Sequence, residues 1–125
     1  MIKITKEKAL LLHRYMKERT GGADGLRSEE LLLAALEAPF MTFDQKELYP
    51  TVEEKAARLC HSLISNHPFA DGNKRIGMFI MLIFLKLNSA YPAFSPSDVE
   101  RIGLALASGE MGYEELLLAI RLHKK

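Results

Sequence analysis

The stretch 67-HPFADGNKRIGMFIMLIFL-85 joins a polar loop to an apolar run that could form the core of a small helical protein. From Ile76 to Leu85 every residue except Gly77 is apolar. A run of this length is too short to cross a bilayer, which takes about 20 apolar residues, and apolar residues on all sides are typical of a buried helix. We therefore predict a central core helix that begins near Asn73 and ends near Asn88.

Length and composition limit the class of protein. The chain has 125 residues, 48% of them hydrophobic and 26% charged, and 17 basic against 16 acidic side chains give a net charge of +1. This balance is typical of a soluble globular protein and argues against a nucleic-acid partner. The single cysteine excludes an internal disulfide, and the N-terminal residues lack the pattern of a signal peptide. We expect one cytoplasmic domain over residues 1–125, with no membrane or nucleic-acid partner.

The rest of the hydrophobic pattern is also helical. Apolar residues recur at three- and four-residue spacing, and the last such segment runs from about Tyr113 to Leu122. Segment 39–50 has no such period and is predicted to be a loop or a short hairpin. The sequence thus predicts an all-α fold of about six helices around the Ile76–Leu85 element. Residues suited to cap helices precede four of the predicted helices: Thr5, Ser28, Thr51 and Ser95.

Two cations stand at the predicted start of the central helix. Lys74 and Arg75 lie where the helix backbone already carries positive partial charge, so each would cost up to about 1 kcal/mol unless an anion were bound. The first-turn N–H groups have no partner within the helix, and Gly72 has no Cβ to block a ligand. With Asn73 or Asp71 as the helix cap, we predict a phosphate site formed by Gly72, Asn73, Lys74 and Arg75.

The same loop carries groups suited to phosphate chemistry. His67 is the residue type suited to act as a general base for a hydroxyl near neutral pH, and Asp71 is a hard oxygen ligand suited to Mg²⁺. Each residue alone could be a plain loop or turn residue, but their occurrence within nine residues favours phosphoryl or nucleotidyl transfer. Phe69 is expected to anchor the loop in the core. The remaining histidines are expected to be structural: His13, His61 and His123.

The loop 67-HPFADGNKR-75 resembles the signature of the Fic/Doc family, H-x-F-x-(D/E)-(A/G)-N-(G/K)-R. Further segments, from 21-GGADGLR-27 to 107-ASGE-110, are similar to the death-on-curing (Doc) branch of this family. The resemblance implies the compact all-α Fic fold with a short flap loop, and the role of toxin in a type II toxin–antitoxin system. It also implies that ATP and Mg²⁺ bind and that an antitoxin inhibits the toxin in trans.

The resemblance also implies a role for each residue of the loop. His67 matches the catalytic base and Asp71 the magnesium ligand, while Arg75 matches the phosphate-binding arginine. The backbone amides of Gly72, Asn73 and Lys74 match the anion hole, with the Asn73 side chain also on a phosphate and Lys74 as a second cation. Outside the loop, the flap that holds the target segment matches Thr42 and Phe43.

Two positions depart from the adenylylating members of the family. Lys74 replaces a glycine, and Met78 replaces a second arginine whose contact to the distal phosphates would be worth roughly 1.5–3 kcal/mol. Both changes are shared with Doc, which implies that the γ-phosphate of ATP occupies the anion hole. The product would be a phosphorylated protein hydroxyl, by analogy a threonine of elongation factor Tu, and translation would stop.

Two other functions remain open from the sequence. Gly72 is closer to the adenylylating branch, so the alternative is transfer of AMP to a target hydroxyl. A non-enzymatic anion-binding module would require neither His67 nor Asp71, and both are present. The 125 residues contain no (S/T)-x-x-x-E-(G/N) inhibitory motif, so we expect inhibition by a separate antitoxin rather than by this chain.

Overall fold

Helices make up most of the computed structural model, which describes residues 1–22 and 25–124. Lys125 and residues 23 and 24 of the Doc-like segment 21–27 lie outside the described residues. None of the described helices is both long and apolar enough to cross a membrane. The prediction of an all-α fold with about six helices is confirmed. Within the described ranges the helices are α1 (Lys6–Thr20), α2 (Glu29–Glu37), α3 (Val52–Asn66), α4 (Asn73–Leu87), α5 (Pro96–Ser108) and α6 (Tyr113–Leu122).

Side-chain caps determine where the helices begin. The Thr5 hydroxyl accepts the Lys8 N–H and the Ser28 hydroxyl accepts the Leu31 N–H, each at 3.1 Å. Thr51 and Glu54 form a reciprocal capping box at the start of α3, with both bonds at 3.1 Å. Ser95 caps α5 through the same kind of box. The four predicted helix starts are therefore confirmed, because the capping residues satisfy first-turn donors that the helices leave open.

The core lies between α3 and α4. The apolar run predicted for the central helix belongs to α4 and is mostly buried. A Cβ at Gly77 would lie 2.8 Å from Cγ1 of Ile64 on α3, so the glycine permits the two helices to approach closely. Helix α3 also contacts α2, α5 and α6, and it therefore shares the central position predicted for α4 alone.

A short hairpin separates α2 from α3. After a 3₁₀ turn at Ala38–Phe40, strand β1 (Thr42–Phe43) pairs antiparallel with β2 (Lys46–Glu47). Asp44 and Gln45 both have positive φ, the geometry of a tight two-residue hairpin turn. The predicted loop or hairpin is thus a hairpin.

The hairpin is tied to the core by a buried lysine that sequence analysis did not single out. Lys55 of α3 is 1% exposed. Its ammonium donates to Oε1 of Glu47 at 2.7 Å and to the carbonyl of Tyr49. This ion pair joins strand β2 to α3, and it fixes where the hairpin leaves the body of the protein.

Candidate active site

The loop between α3 and α4 is held from outside by the entry to α2. His67 ends α3 in the left-handed conformation, with φ 50° and ψ 55°. The Arg27 guanidinium donates to the carbonyls of Asn66 at 2.9 Å and His67 at 2.7 Å. The backbone N–H groups of Arg27 and Ser28 both donate to the Pro68 carbonyl, at 2.8 and 2.9 Å. Arg27 therefore satisfies carbonyls at the end of α3 and fixes the first half of the loop.

The second half of the loop is held from inside. Phe69 is 1% exposed and stacks on the ring of His13, with centroids 4.0 Å apart. The Asn73 side chain accepts the Phe69 N–H at 2.9 Å and donates to the Phe69 carbonyl at 3.0 Å. His13 Nε2 donates to the Asp71 carbonyl at 2.9 Å. The predicted anchoring role of Phe69 and the structural role of His13 are confirmed.

The start of α4 corrects one prediction. Neither Asn73 nor Asp71 caps the helix; Gly72 occupies the cap position with φ 79°, and no side chain caps it. The Asn73 amide is engaged with Phe69, and Oδ1 of Asp71 accepts the Gly72 N–H at 2.8 Å. The cap prediction was wrong because both side chains have partners within the loop. For the same reason, the Asn73 amide atoms implied to contact a phosphate are bonded to the Phe69 backbone in this structure.

The donors left at the helix start are shifted by one residue from those implied by the resemblance. The first helical bond runs from the Ile76 N–H to the Gly72 carbonyl at 2.9 Å. Asn73, Lys74 and Arg75 therefore contribute N–H groups that have no acceptor within the helix. The Gly72 N–H is already used by Asp71. In this structure the open amides at the helix start are those of residues 73–75, while the Gly72 N–H is bonded to Asp71.

A cleft of about 490 Å³ lies over this helix start. It brings together all six residues that sequence analysis assigned to the loop site. Lys17 and Thr20 of α1, together with Gly21 and Gly22, also line the cleft. The loop residues that line the cleft are His67, Asp71, Gly72, Asn73, Lys74 and Arg75.

The orientation of His67 identifies its basic nitrogen. The ring is exposed, and Nδ1 lies 3.2 Å from the Ser65 carbonyl. A carbonyl can only accept a hydrogen bond, so Nδ1 carries the proton in this arrangement. The lone pair then lies on Nε2. This is the tautomer that a general base acting through Nε2 requires.

Asp71 is paired with a cation that sequence analysis missed. Lys17 Nζ lies 3.3 Å from Asp71 Oδ2, and the lysine side chain is 7% exposed while that of Asp71 is 54% exposed. Lys17 follows His13 by four residues on α1, so both residues lie on the same helix face. This four-residue spacing is the one feature of the sequence that could have pointed to Lys17 as a neighbour of the loop. It becomes informative only once His13 is known to contact the loop.

The chemistry of the cleft fits a magnesium ion that arrives with a polyphosphate. Among the described residues there is no cluster of three or more metal-ligating side chains. Mg²⁺ retains several waters and is commonly held by one or two carboxylates together with substrate phosphates. The half-exposed Asp71 carboxylate, adjacent to open helix amides, is a suitable protein ligand of this kind.

The family model described as the Fic/DOC family matches residues 3–85, which include every residue of the loop and of α1 that lines the cleft. The chain belongs to the Fic/DOC family. A curated relative, Toxin Doc of Mycolicibacterium smegmatis, is 38% identical over 81 residues, which cover 65% of this chain and 62% of the relative. The chain thus spans less than two thirds of that relative's length. These matches confirm the predicted family and the similarity to its Doc branch.

The two positions that depart from adenylylating Fic proteins, Lys74 and Met78, both lie beside Gly103 of α5. Met78 is 1% exposed, and its sulfur lies 3.6 Å from Sγ of Cys60. A Cβ on Gly103 of α5 would lie 3.0 Å from Cγ of Lys74 and 3.6 Å from Cγ of Met78. Gly103 therefore makes room for the lysine stem, and the position of the second Fic arginine is occupied by a core side chain.

The residues that match the Fic/DOC flap lie on the hairpin. Thr42 and Phe43 form β1 and are exposed, Phe43 by 74%. They are not among the described residues that line the cleft. A two-stranded hairpin has open edges that can pair with an extended segment of another protein, as the flap assignment requires.

Proposed function

We propose that this chain is the toxin of a toxin–antitoxin pair and transfers the γ-phosphate of ATP to a hydroxyl of a target protein in the cytoplasm. The family resemblance suggests a threonine of elongation factor Tu as the target. The observation that carries the proposal is that His67, Asp71, three open helix amides, Lys74 and Arg75 meet in one cleft of a Fic/DOC chain. The similarity to Toxin Doc supports the toxin role and an antitoxin partner.

The reaction assigns one proton transfer to His67. Nε2 accepts the proton of the target hydroxyl while the hydroxyl oxygen bonds to the γ-phosphorus. The bond from that phosphorus to the bridging oxygen breaks, and ADP leaves. Acid–base assistance of this kind is typically worth about 10²–10⁴-fold. The larger share of the acceleration would come from alignment of the hydroxyl with the phosphorus by the cleft and the hairpin.

The start of α4 binds the phosphoryl group. The amides of residues 73–75 and the side chains of Lys74 and Arg75 supply donors and positive charge where the transferred group carries negative charge. Asp71 would hold Mg²⁺, which, when bound, neutralises phosphate charge and orients the phosphates. The Lys17 ammonium keeps the carboxylate at the edge of the cleft.

Two features favour phosphoryl transfer over the alternative, transfer of AMP. The buried Met78 provides no charge for the distal phosphates in the adenylylating orientation. Lys74 fills space beside the helix start that a glycine would leave open, and Gly103 accommodates its stem. Both features support an ATP whose γ-phosphate, rather than its α-phosphate, meets the open amides.

Gly72, the one residue closer to the adenylylating branch, has a packing explanation. Its φ of +79° is unfavourable for residues with a Cβ. A Cβ at this position would also lie 2.9 Å from the Met16 methyl group. A glycine is therefore favoured by the local fold whichever phosphate is transferred, so this residue does not weigh for AMP transfer.

ATP labelled at either the α- or the γ-phosphate tests the proposal. The purified chain is incubated with Mg²⁺, each labelled ATP and purified elongation factor Tu, and in parallel with a cell lysate. We expect only the γ-label on protein. Retention of the α-label would establish AMP transfer instead, and no label on any protein from a folded chain would contradict both reactions.

His67→Ala separates chemistry from binding in the same assay. The exposed ring has one hydrogen bond to the part of the chain that the structure describes, so the variant should remain folded while transfer and growth arrest are lost. His123→Ala is the control for loss of an imidazole outside the cleft, and its folding is checked first because this ring stacks on Phe94. A folded and fully toxic His67→Ala variant would refute the mechanism. Co-expression of a neighbouring short reading frame should relieve the growth arrest if it encodes the antitoxin.

A further inference from the structure

Lys17 is buried beside the carboxylate proposed to hold the metal. Its side chain is 7% exposed, and Nζ lies 3.3 Å from Oδ2 of Asp71. The other carboxylate oxygen accepts the Gly72 N–H at 2.8 Å. A metal ion that approaches Asp71 therefore meets a carboxylate already engaged on both oxygens, with a positive charge at one of them.

The surrounding backbone is shaped around this ion pair. A Cβ on Gly22, where φ is +95°, would overlap both Lys17 Nζ and Asp71 Oδ2. A Cβ on Gly72 would lie 3.7 Å from Cδ and 3.8 Å from Nζ of the same lysine. Gly22 thus leaves room for the ammonium to contact the carboxylate, whereas a Cβ on Gly72 would only make ordinary van der Waals contact with the lysine. One turn earlier on the same helix, His13 holds the Asp71 carbonyl. The contact is therefore part of the construction of the site.

Charge in the cleft determines what this lysine can do. The described residues that line the cleft include three cations, Lys17, Lys74 and Arg75, against the single carboxylate of Asp71. Among the described residues, the Lys17 ammonium is the cation nearest to the Asp71 carboxylate, so it repels a free divalent cation that approaches this ligand. The phosphates of ATP reverse the sign of the local charge, and after that the same carboxylate can bind a metal.

We propose that Lys17 makes divalent-cation binding at Asp71 dependent on the nucleotide. Without ATP the ammonium excludes the cation from the carboxylate, and with ATP the metal binds between Asp71 and the phosphates. This inference rests on the proposed function, because it takes the metal and the nucleotide as partners of the cleft. It adds that α1, rather than the loop alone, sets the order in which they bind.

Mn²⁺ serves as the probe, since its free and bound forms are distinguished by electron paramagnetic resonance without any catalytic turnover. The full chain is titrated with Mn²⁺, first alone and then in the presence of a non-hydrolysable ATP analogue. The Mn²⁺ that the analogue itself binds is measured in a protein-free titration and subtracted. We expect weak binding to the nucleotide-free wild type and binding at least about tenfold tighter with the analogue. Lys17→Met should tighten nucleotide-free binding about tenfold or more, since a repulsive charge near the ligand is removed.

Control variants isolate the position of the charge. Lys86→Met removes the same charge from an exposed part of α4 and should leave Mn²⁺ affinity unchanged. Lys17→Arg keeps the charge and should retain weak binding, while Asp71→Asn added to Lys17→Met should abolish the gain. If Lys17→Met does not fold, Lys17→Gln replaces it.

Several results would overturn the inference. Equal Mn²⁺ affinity of folded Lys17→Met and wild type would do so, as would an equal gain in Lys86→Met. Tight Mn²⁺ binding by the nucleotide-free wild type would overturn it without any variant. Failure of the proposed function is distinct: the wild type would then transfer no label from ATP although the Lys17-dependent exclusion of Mn²⁺ remained measurable.

Discussion

Asn73→Ala tests whether this side chain holds the loop or contacts a phosphate. In the structure its amide makes hydrogen bonds of 2.9 and 3.0 Å to the N–H and carbonyl of Phe69. Both residues are buried, Asn73 at 9% exposure and Phe69 at 1%. Alanine would leave a backbone donor and a backbone acceptor without these partners in a place that water reaches poorly. Each such loss costs about 1–3 kcal/mol, so the free energy of unfolding should fall by roughly 2–6 kcal/mol.

That loss is large against the total stability of about 5–15 kcal/mol expected for a domain. Urea unfolding followed by circular dichroism measures it directly. Asn88→Ala is the comparator, because Asn88 also bonds backbone groups, those of Ile2 and Phe84, but at the more exposed end of α4. Water can replace those bonds, so we expect the Asn88 variant to lose less stability than the Asn73 variant.

Affinity for a non-hydrolysable ATP analogue completes the test of Asn73. A side chain that mainly contacted a phosphate would, when removed, weaken nucleotide binding and leave stability within about 0.5 kcal/mol of wild type, as surface substitutions do. That combination would refute our assignment of Asn73 as the residue that clamps the loop. The assignment would be supported if the variant lost stability by the expected amount and bound the analogue with wild-type affinity under conditions that keep it folded.

Two further predictions concern parts of the chain outside the loop. Lys55→Met removes the buried ammonium that joins Glu47 to α3, so amide hydrogen exchange in the hairpin should accelerate while α3 stays protected; unchanged exchange in the hairpin would contradict the anchoring role. Burial, with a smaller contribution from Arg58, lowers the pKa of His61, whose Nδ1 has no hydrogen-bond partner among the described residues. The unfolded chain therefore binds the proton more readily as pH falls below about 6.5, and wild-type stability should drop in that range. His61→Leu should reduce this loss of stability. If the urea midpoint fell by the same amount between pH 7.5 and pH 5.5 in the wild type and in the variant, the prediction would be contradicted.

Local signals in the sequence predicted the helices and the loop residues that line the cleft. Thr51 with Glu54, and Ser95 with Asp98, determine helix starts through bonds that span three residues, so a short window of sequence contains the whole interaction. The residues of the loop were predictable for a similar reason, since His67 to Arg75 are contiguous. Their presence in one cleft follows from the turn that the loop makes.

The support of the loop was not predictable because it depends on distant residues. Arg27 contacts a carbonyl 40 residues away, and Lys17 contacts a carboxylate 54 residues away. Nothing in the local pattern of α1 separates a lysine that faces a carboxylate from one that faces water. Asn73 shows the same limit in another form, because an asparagine at a helix start suits both a cap and a tertiary clamp, and only the position of Phe69 decides between them.

The supporting residues change how the charges of the cleft are understood. Lys74 and Arg75 at the start of α4 already indicated a missing anion, but a singly charged ion would satisfy two cations only in part. The structure adds Lys17 as a third cation of the cleft. The Gly72 N–H donates to Asp71, so the open backbone donors are those of residues 73–75. Repulsion among three cations is best offset by a ligand with several negative groups at phosphate spacing, which can reach the helix amides and the Asp71 edge at once. ATP meets that requirement with a metal ion between its phosphates and the carboxylate, and this match is why we favour phosphoryl chemistry over simple anion binding.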